Sequence, residues 1–423
     1  MKIEKFNYTL LSVLVVYFPF QALSSNFLEF NTKLSSSETF WLVHWYEPVI
    51  LMLLAAMLII RMIKKRRFEF GLSQILAMAL LALGVFSILF SSSSVTKGFE
   101  GFRFTLFGLV FYMFAFEAGF NKEKAKKLIN VYLWTSAFVA FWALIERFLP
   151  YNYWGLWHIA NPQVVFGYGW HNVAFVKQSA SVLGGPNQLA SYLLPAFFIS
   201  FSRMIKFTKG VAEKNTKLYL AFTILLNFAI FISFSRSAIL ALLIILVVYT
   251  YLTRNKWARS YSLFMILLVL VIFILAIISK ENAFELITHG RSQSEHSLAL
   301  NSSLVEIKSR IIHPITLLFG AGLGSAGPLA IKYGDGIISE SWYLQLVLEI
   351  GLFGLFLWIT FIFLMVKDLL QRKEFGLLLG LAAVSTTAIF LHTFADNPAL
   401  TYTLFILIGL NLNSELQHEK NFS

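Results

Sequence analysis

The chain has 423 residues, of which 58% are hydrophobic, 17% are aromatic and only 13% are charged. These proportions exclude a soluble globular domain and indicate a polytopic membrane protein. An outer-membrane barrel would show short segments of alternating polarity, whereas the long apolar runs here predict helices, so the expected fold class is all-α. The absence of cysteine excludes disulfides and thiolate chemistry. The net charge of +12 has to be interpreted from where the basic residues lie.

Apolar windows of about 20 residues predict about 12 transmembrane helices in one integral domain that covers residues 1–423. The first window follows Lys2 and Lys5 and is interpreted as an uncleaved signal anchor, because further spans follow at once. The predicted spans are 7–24, 44–62, 72–92, 103–120, 128–149, 187–204, 218–235, 237–253, 260–279, 341–365, 375–393 and 400–414.

Lysine and arginine predict the orientation of these spans. Most of the 34 basic residues lie at the two termini or in alternate loops, at 61–67, 122–127, 203–217, 254–259 and 367–373. By the positive-inside rule, these loops and both termini are cytoplasmic. The positive charge therefore follows the membrane topology, and no nucleic-acid partner is expected.

Two long loops are expected on the outer side, near 150–186 and 280–340. In the second loop, Leu298, Leu300, Leu304, Ile307 and Ile311 recur at roughly helical spacing. This pattern predicts a helix that lies on the membrane surface or over the mouth of a cavity.

Polar stretches cluster at the outer ends of the spans, at 184–187, 233–237, 340–343 and 396–398. The cytoplasmic loops hold no Walker-type Gly-Lys-Ser/Thr motif and no acid or histidine cluster with ligand spacing. The outer histidines form no ordered ligand pair, so no metal site and no cofactor are predicted. Any chemistry is expected to face away from ATP.

The glycine-rich stretch at 317–327 contains Gly322-x-Gly324-x-x-Gly327, which has the spacing of a dinucleotide-binding loop. That fingerprint needs a preceding strand, a following helix and a cytosolic cofactor, and this stretch is expected outside. Two interpretations stay open. The glycines form a turn in a loop that re-enters the membrane, or their N–H groups form a concave nest for a lipid pyrophosphate.

Cations near the outer face are candidates for binding that anion, because a guanidinium matches phosphate oxygens with two parallel hydrogen bonds. Arg291 and Arg310 lie in the long outer loop beside glycines, and Arg236 and Lys177 are candidate supports. The alternative for each is contact with lipid headgroups.

Glu340 is the candidate base, since a carboxylate at the start of an interfacial helix could accept a hydroxyl proton. The alternative is an acid that only favours the helix dipole. Asp396 is a second candidate, with helix capping as its alternative role.

Taken together, four stretches resemble the O-antigen polymerase and ligase superfamily over about residues 180–355. The Gly-Gly-Pro-Asn segment looks like the family's Gly-x-Pro-Asn-x-x-Ala start of a span, and the Ser-Arg-Ser-Ala segment looks like its Ser-Arg-x-x turn. An arginine followed by a Gly-x-Gly-x-Gly loop, and then a helix, complete the pattern. The stretches are 181–190, 233–239, 290–291 with 319–324, and 340–351.

The chain departs from the family pattern at two positions, and the first of them favours the polymerase branch. Glu340 stands where ligases with this pattern usually have His, and Gln178 stands where many relatives carry Arg, with Lys177 adjacent. The resemblance then implies a metal-independent glycosyltransferase of the bacterial inner membrane that extends a surface polysaccharide on the periplasmic face.

The resemblance also implies the substrates and the residues that hold them. Donor and acceptor are undecaprenyl-pyrophosphate-linked oligosaccharides, and a chain-length regulator and a flippase are implied partners beside membrane lipid. Arg291, Arg310 and Glu340 are expected to be catalytic; the substrate-binding residues are expected to be Lys177, Asn187, Arg236, Gly322, Gly324 and Tyr343. Two alternatives stay open: a ligase that transfers the glycan to lipid A core or to a protein, and a flippase or transporter.

Overall fold

The computed structural model describes an all-helical protein, as the composition predicts. The described residues are 2–63, 70–90, 94–149, 178–208, 216–278, 290–327, 329–330, 333–334, 337 and 339–413. Their helices are α1 Lys2–Tyr17, α2 Gln21–Asn31, α3 Ser36–Val43, α4 Tyr46–Ile63, α5 Leu72–Phe90, α6 Val95–Thr105, α7 Phe107–Ala118, α8 Lys122–Glu146, α9 Pro186–Thr208, α10 Thr216–Ile232, α11 Arg236–Thr253, α12 Lys256–Ile278, α13 Gly290–Ser309, α14 Pro314–Phe319, α15 Trp342–Gln371, α16 Phe375–Thr387, α17 Thr393–Asp396 and α18 Pro398–Asn413.

Each of the twelve predicted spans falls on a helix, but the helices differ in their ability to cross a membrane. Within the described residues, six are long and apolar enough, or seven if α6 and α7 form one span bent by 53°. The helices α10, α16 and α18 are apolar but have only 17, 13 and 16 residues. Six or seven spans are therefore supported by length and composition, and the count of twelve stays a prediction.

The core forms where small residues let helices approach closely. Gly376 and Gly380 lie four residues apart on α16, and a Cβ at either one would stand 2.8 Å from a backbone Cα of α9. The contacts are Ile199 and Pro195, which are also four residues apart. This is the small-xxx-small packing of membrane helices, which replaces the hydrophobic driving force that is missing in lipid. It buries the middle of α9, whose first turn carries the Pro-Asn motif.

Both terminal helices contact the end of the bundle that carries the basic loops. Glu4 in α1 pairs with Lys124 at 2.6 Å, close to the start of α8. At the other terminus, Arg372 donates to the carbonyl oxygen of Asn411 at 3.2 Å. Arg61, at the end of α4, pairs with Glu117 at 2.8 Å at this same end. The four outer polar stretches therefore lie at the opposite end of the bundle.

The helix α15 is broken at Gly351, where φ is 75° and ψ is −178°. This backbone conformation is open essentially only to glycine, and it removes the helical donors that would serve the preceding carbonyls. The glycine stretch supplies replacements: Ala321 N–H donates to Leu348 O at 2.9 Å, and Gly322 N–H donates to Glu349 O at 3.0 Å. Arg310 Nη1 adds a third donor, to Leu348 O at 2.7 Å.

The second long loop contains the predicted surface helix. Residues Leu298, Leu300 and Leu304 lie on α13 with exposed side chains. The chain then turns through Arg310–Ile312 into the short helix α14, which packs against α15. The helical prediction for this segment is confirmed, and α14 delivers the glycine stretch to the break in α15.

Substitution of Gly351 should separate the effect of a tight contact from that of backbone conformation. A Cβ at Gly351 would lie 2.1 Å from Leu318 O, whereas Gly334, with a similar φ of 74°, has nothing within 4 Å. A positive φ costs alanine about 1–3 kcal/mol at either position. Gly351→Ala should therefore lower the thermal unfolding temperature in detergent clearly more than Gly334→Ala does. Equal effects would contradict this account of the break.

Candidate functional site

Three of the four polar stretches are distant in sequence but are joined by hydrogen bonds at the starts of three helices. Ser235 Oγ, before α11, donates to Asn187 Oδ1 in the first turn of α9 at 2.8 Å. Asn397 Nδ2, before α18, donates to the carbonyl oxygen of Gln188 at 2.7 Å. The Pro-Asn segment, the Ser-Arg-Ser turn and the Asp-Asn-Pro segment thus form one cluster.

A cavity of about 330 Å³ opens beside this cluster, which is within the size range of small-molecule sites. The α6 helix, the start of α15 and the short α17 contribute most of its wall. Its polar and aromatic lining consists of Phe40, His44, Glu100, Arg103, Phe104, Thr105, Gln345, Glu349 and Asp396. Three carboxylates, one guanidinium and one imidazole therefore share this space.

Arg103 is held in place by a buried network at the cavity wall. Its Nε donates to Glu47 Oε1 at 2.8 Å, and its Nη2 lies 2.7 Å from His44 Nε2. His44 Nδ1 is 3.1 Å from the same Glu47 oxygen. Gln21 Nε2 also lies 2.6 Å from His44 Nδ1, so three side chains hold the imidazole.

Glu349 is the buried carboxylate that the glycine stretch surrounds. Gly324 N–H donates to its Oε1 at 3.0 Å, and Thr105 Oγ1 donates to its Oε2 at 2.8 Å. Gln345 Nε2 is a further donor at 3.3 Å. This geometry corresponds to the first interpretation of the glycines, in which they form a turn. The amides of Gly322 and Gly324 are engaged by Glu349, so the oxygen acceptors that meet these glycines belong to the protein itself.

Asp396 ends α17 at the cavity and lies near Glu340. Burial, and then the neighbouring Glu340 carboxylate, raise the pKa of Asp396 to about 7. A carboxyl with a pKa near the working pH can exchange a proton with a bound hydroxyl in either direction. The two acids named as candidate bases in the sequence are therefore neighbours, and Asp396 is the one that lines the cavity.

Gln345 and His392 connect the helix that carries Glu349 with the helix that carries Asp396. Gln345 Oε1 lies 3.2 Å from Nδ1 of the buried His392, which precedes α17. Through Gln345, this contact joins the helix of Asp396 to Glu349. Substituting either carboxylate is therefore expected to affect the position of the other.

The remaining predicted site residues lie in several different environments. The Arg310 guanidinium is buried, and its Nε and Nη1 are engaged by Glu306 and Leu348. Tyr343 donates to the carbonyl oxygen of Ser385 at 2.9 Å. Arg236 lies in the first turn of α11 and is exposed. Arg291 is in the first turn of α13, but its side chain lies outside the described part, as does Lys177.

The sequence-based prediction missed the residues that form most of the cavity wall. Glu47 and Arg103 both fall within predicted spans, and a charged residue in a span is by itself a signal of function. Glu349 stands in the resemblance motif as an acid surrounded by apolar residues. His44 is the first residue of the predicted span 44–62 and carries the same signal. Glu100 carries no comparable pattern, because it reaches the cavity through the packing of α6.

Protonation of Asp396 should make stability depend on pH. In the unfolded chain this carboxyl titrates near 3.8, so the folded protein holds an extra proton between about 4 and about 7. Stability should therefore fall as pH rises through this window, and Asp396→Asn should flatten that part of the curve. Thermal unfolding in detergent at stepped pH measures the effect, with Asp368→Asn, at the far end of α15, as control. An unchanged slope in Asp396→Asn would contradict the prediction.

Among the described residues, no group of three or more histidine, aspartate and glutamate side chains has the arrangement of a metal site. The chain matches no protein-family profile, and it matches no curated protein sequence. The chemistry of the cavity is therefore the basis on which a function can be assigned.

Proposed function

We propose that this protein is a membrane glycosyltransferase that joins undecaprenyl-pyrophosphate-linked oligosaccharide repeat units into a surface polysaccharide. The proposed setting is the bacterial inner membrane, with both termini cytoplasmic and the cavity facing the periplasm. The observation that carries the proposal is the cavity itself, which combines Asp396 with hydrogen-bonding side chains at the end of the bundle opposite the basic loops. Such a site supports proton transfer from a sugar hydroxyl without ATP.

The reaction breaks the bond between the donor's anomeric carbon and the pyrophosphate oxygen, and forms a bond from that carbon to the acceptor oxygen. The acceptor hydroxyl proton passes to the Asp396 carboxylate. Undecaprenyl pyrophosphate departs with the electron pair of the broken bond. Asp396, with a pKa of about 7, is suited to accept this proton near neutral pH.

Glu340 has a supporting role in this mechanism. Its charge lies close enough to raise the pKa of Asp396, which makes Asp396 a stronger base once it has lost its proton. Arg236 and Arg291 are the proposed partners of the leaving pyrophosphate, because a cation placed where charge develops stabilises the transition state. Arg310 is assigned to the helix break instead, since protein partners engage it.

A second candidate function is transport coupled to protons, and one observation favours it. The Arg103–Glu47 ion pair is buried, and the half-buried His44 lies beside it in the turn between α3 and α4. Ionisable residues of this kind inside membrane segments often form proton relays. Transport needs two sealed compartments, whereas glycosyl transfer does not. This difference separates the two functions experimentally.

The test is an assay with purified protein in detergent micelles, which have no compartments. The substrate is the lipid-linked repeat unit extracted from a strain that lacks the gene. We expect a ladder of extended chains on the lipid carrier, and Asp396→Asn should slow its formation by at least about a hundredfold, as for loss of a general base.

A control variant and two further results of this assay distinguish a polymerase from a ligase and from a transporter. Asp368→Asn should extend chains at the wild-type rate, because Asp368 lies at the opposite end of α15 and hydrogen-bonds with Ser73. Product that appears only after lipid A core is added would indicate a ligase. Absence of any product, with import or export in sealed vesicles, would indicate a transporter and overturn the proposal.

A further inference from the structure

Arg103 is a cavity residue whose hydrogen-bonding capacity is not exhausted by the described part of the protein. Its side chain is almost fully buried, with 7% of the residue exposed. Nε donates to Glu47 and Nη2 to His44, which leaves Nη1. In the described part of the chain, Nη1 has no hydrogen-bond partner, although Arg103 lines the cavity. Two N–H donors of a buried guanidinium are thus available to a ligand.

The position of this guanidinium is fixed before any ligand binds. The rings of Phe40 and Phe104 lie 4.6 and 5.1 Å from Cζ, within the range of cation–π contact. Together with Glu47 and His44, they restrain the group from several directions. A donor that is already in place loses little conformational entropy when it binds.

The free nitrogen determines which ligand fits. Bidentate recognition of phosphate uses two guanidinium nitrogens in parallel, and the pair formed by Nε and Nη2 is occupied by Glu47 and His44. The two N–H groups of Nη1 can instead serve neighbouring neutral oxygens. Glu100 and Asp396 line the same cavity; they would repel a pyrophosphate where ionised and can accept hydrogen bonds from hydroxyl groups.

We propose that Arg103 Nη1 anchors vicinal hydroxyl oxygens of an uncharged saccharide, so that this cavity is the saccharide subsite and the lipid pyrophosphate binds elsewhere. The inference rests on the proposed function, because it takes the saccharide from the lipid-linked repeat unit. A hydroxyl accepts from Arg103 and donates to a carboxylate, so a sugar ring matches both kinds of group in the cavity. Arg103 is a binding residue in this scheme, and Asp396 keeps the proton.

The test measures binding of two probes to purified full-length protein in nanodiscs. One probe is the free saccharide released by mild acid from the lipid-linked repeat unit, and the other is inorganic pyrophosphate. Arg103→Lys should weaken saccharide binding by at least about tenfold, as expected for loss of a hydrogen bond from a charged donor. Pyrophosphate binding should stay unchanged.

The matched control is Arg61→Lys, because Arg61 is also ion-paired but lies at the opposite end of the bundle. It should bind the saccharide like the wild type. If Arg103→Lys does not accumulate as folded protein, Glu100→Gln replaces it, since Glu100 lines the cavity outside the Arg103 network, and it should also weaken saccharide binding.

Unchanged saccharide affinity in these cavity variants, or loss of pyrophosphate binding in Arg103→Lys, would overturn the inference. So would a wild-type protein that extends chains but does not bind the free saccharide, and in that case the proposed function survives. Saccharide binding that depends on Arg103, in a protein that forms no chain ladder, would instead leave the subsite standing and overturn the polymerase.

Discussion

The break in α15 at Gly351 is the constraint on which the end of the bundle opposite the basic loops depends. A carbonyl without a donor costs several kcal/mol in an apolar environment, so a helix can stop inside a bundle only where another segment supplies donors. Here the glycine stretch and Arg310 supply them to Leu348 and Glu349. Close backbone approach requires glycine on both sides, at Gly320 and at Gly351.

The same contacts explain how a carboxylate is kept inside the protein. Once the stretch is held against the break, Gly324 N–H and Thr105 Oγ1 point at Glu349 and replace its lost hydration. A Cβ at Gly101 would meet Gly324 N at 2.3 Å, so α6 lies directly on the stretch. The helix that carries Arg103 and the helix that carries Glu349 are therefore positioned by one loop.

Sequence patterns predicted the elements of this fold much better than its site. The helices followed from apolar periodicity, and the surface helix at Gly290–Ser309 followed from leucine spacing, because these signals are local. The glycines were recognised as special, but their partners are Leu348 and Glu349, more than twenty residues away. The sequence predicted that Arg310 binds an anion. In sequence, an arginine beside glycines looks the same whether it binds an anion or donates hydrogen bonds to backbone carbonyls.

The cavity could not be predicted by the same route, since its members come from α3, α6, α15 and α17 and meet only through packing. Within it, positive charge is already compensated by Glu47, whereas three further carboxylates remain on the wall. An anion entering this space would meet a guanidinium whose charge Glu47 already compensates, and it would approach those acids. Under the proposed function, the site handles both a pyrophosphate and a polyhydroxylated acceptor, which calls for two electrostatically different regions; this cavity has the character of the second.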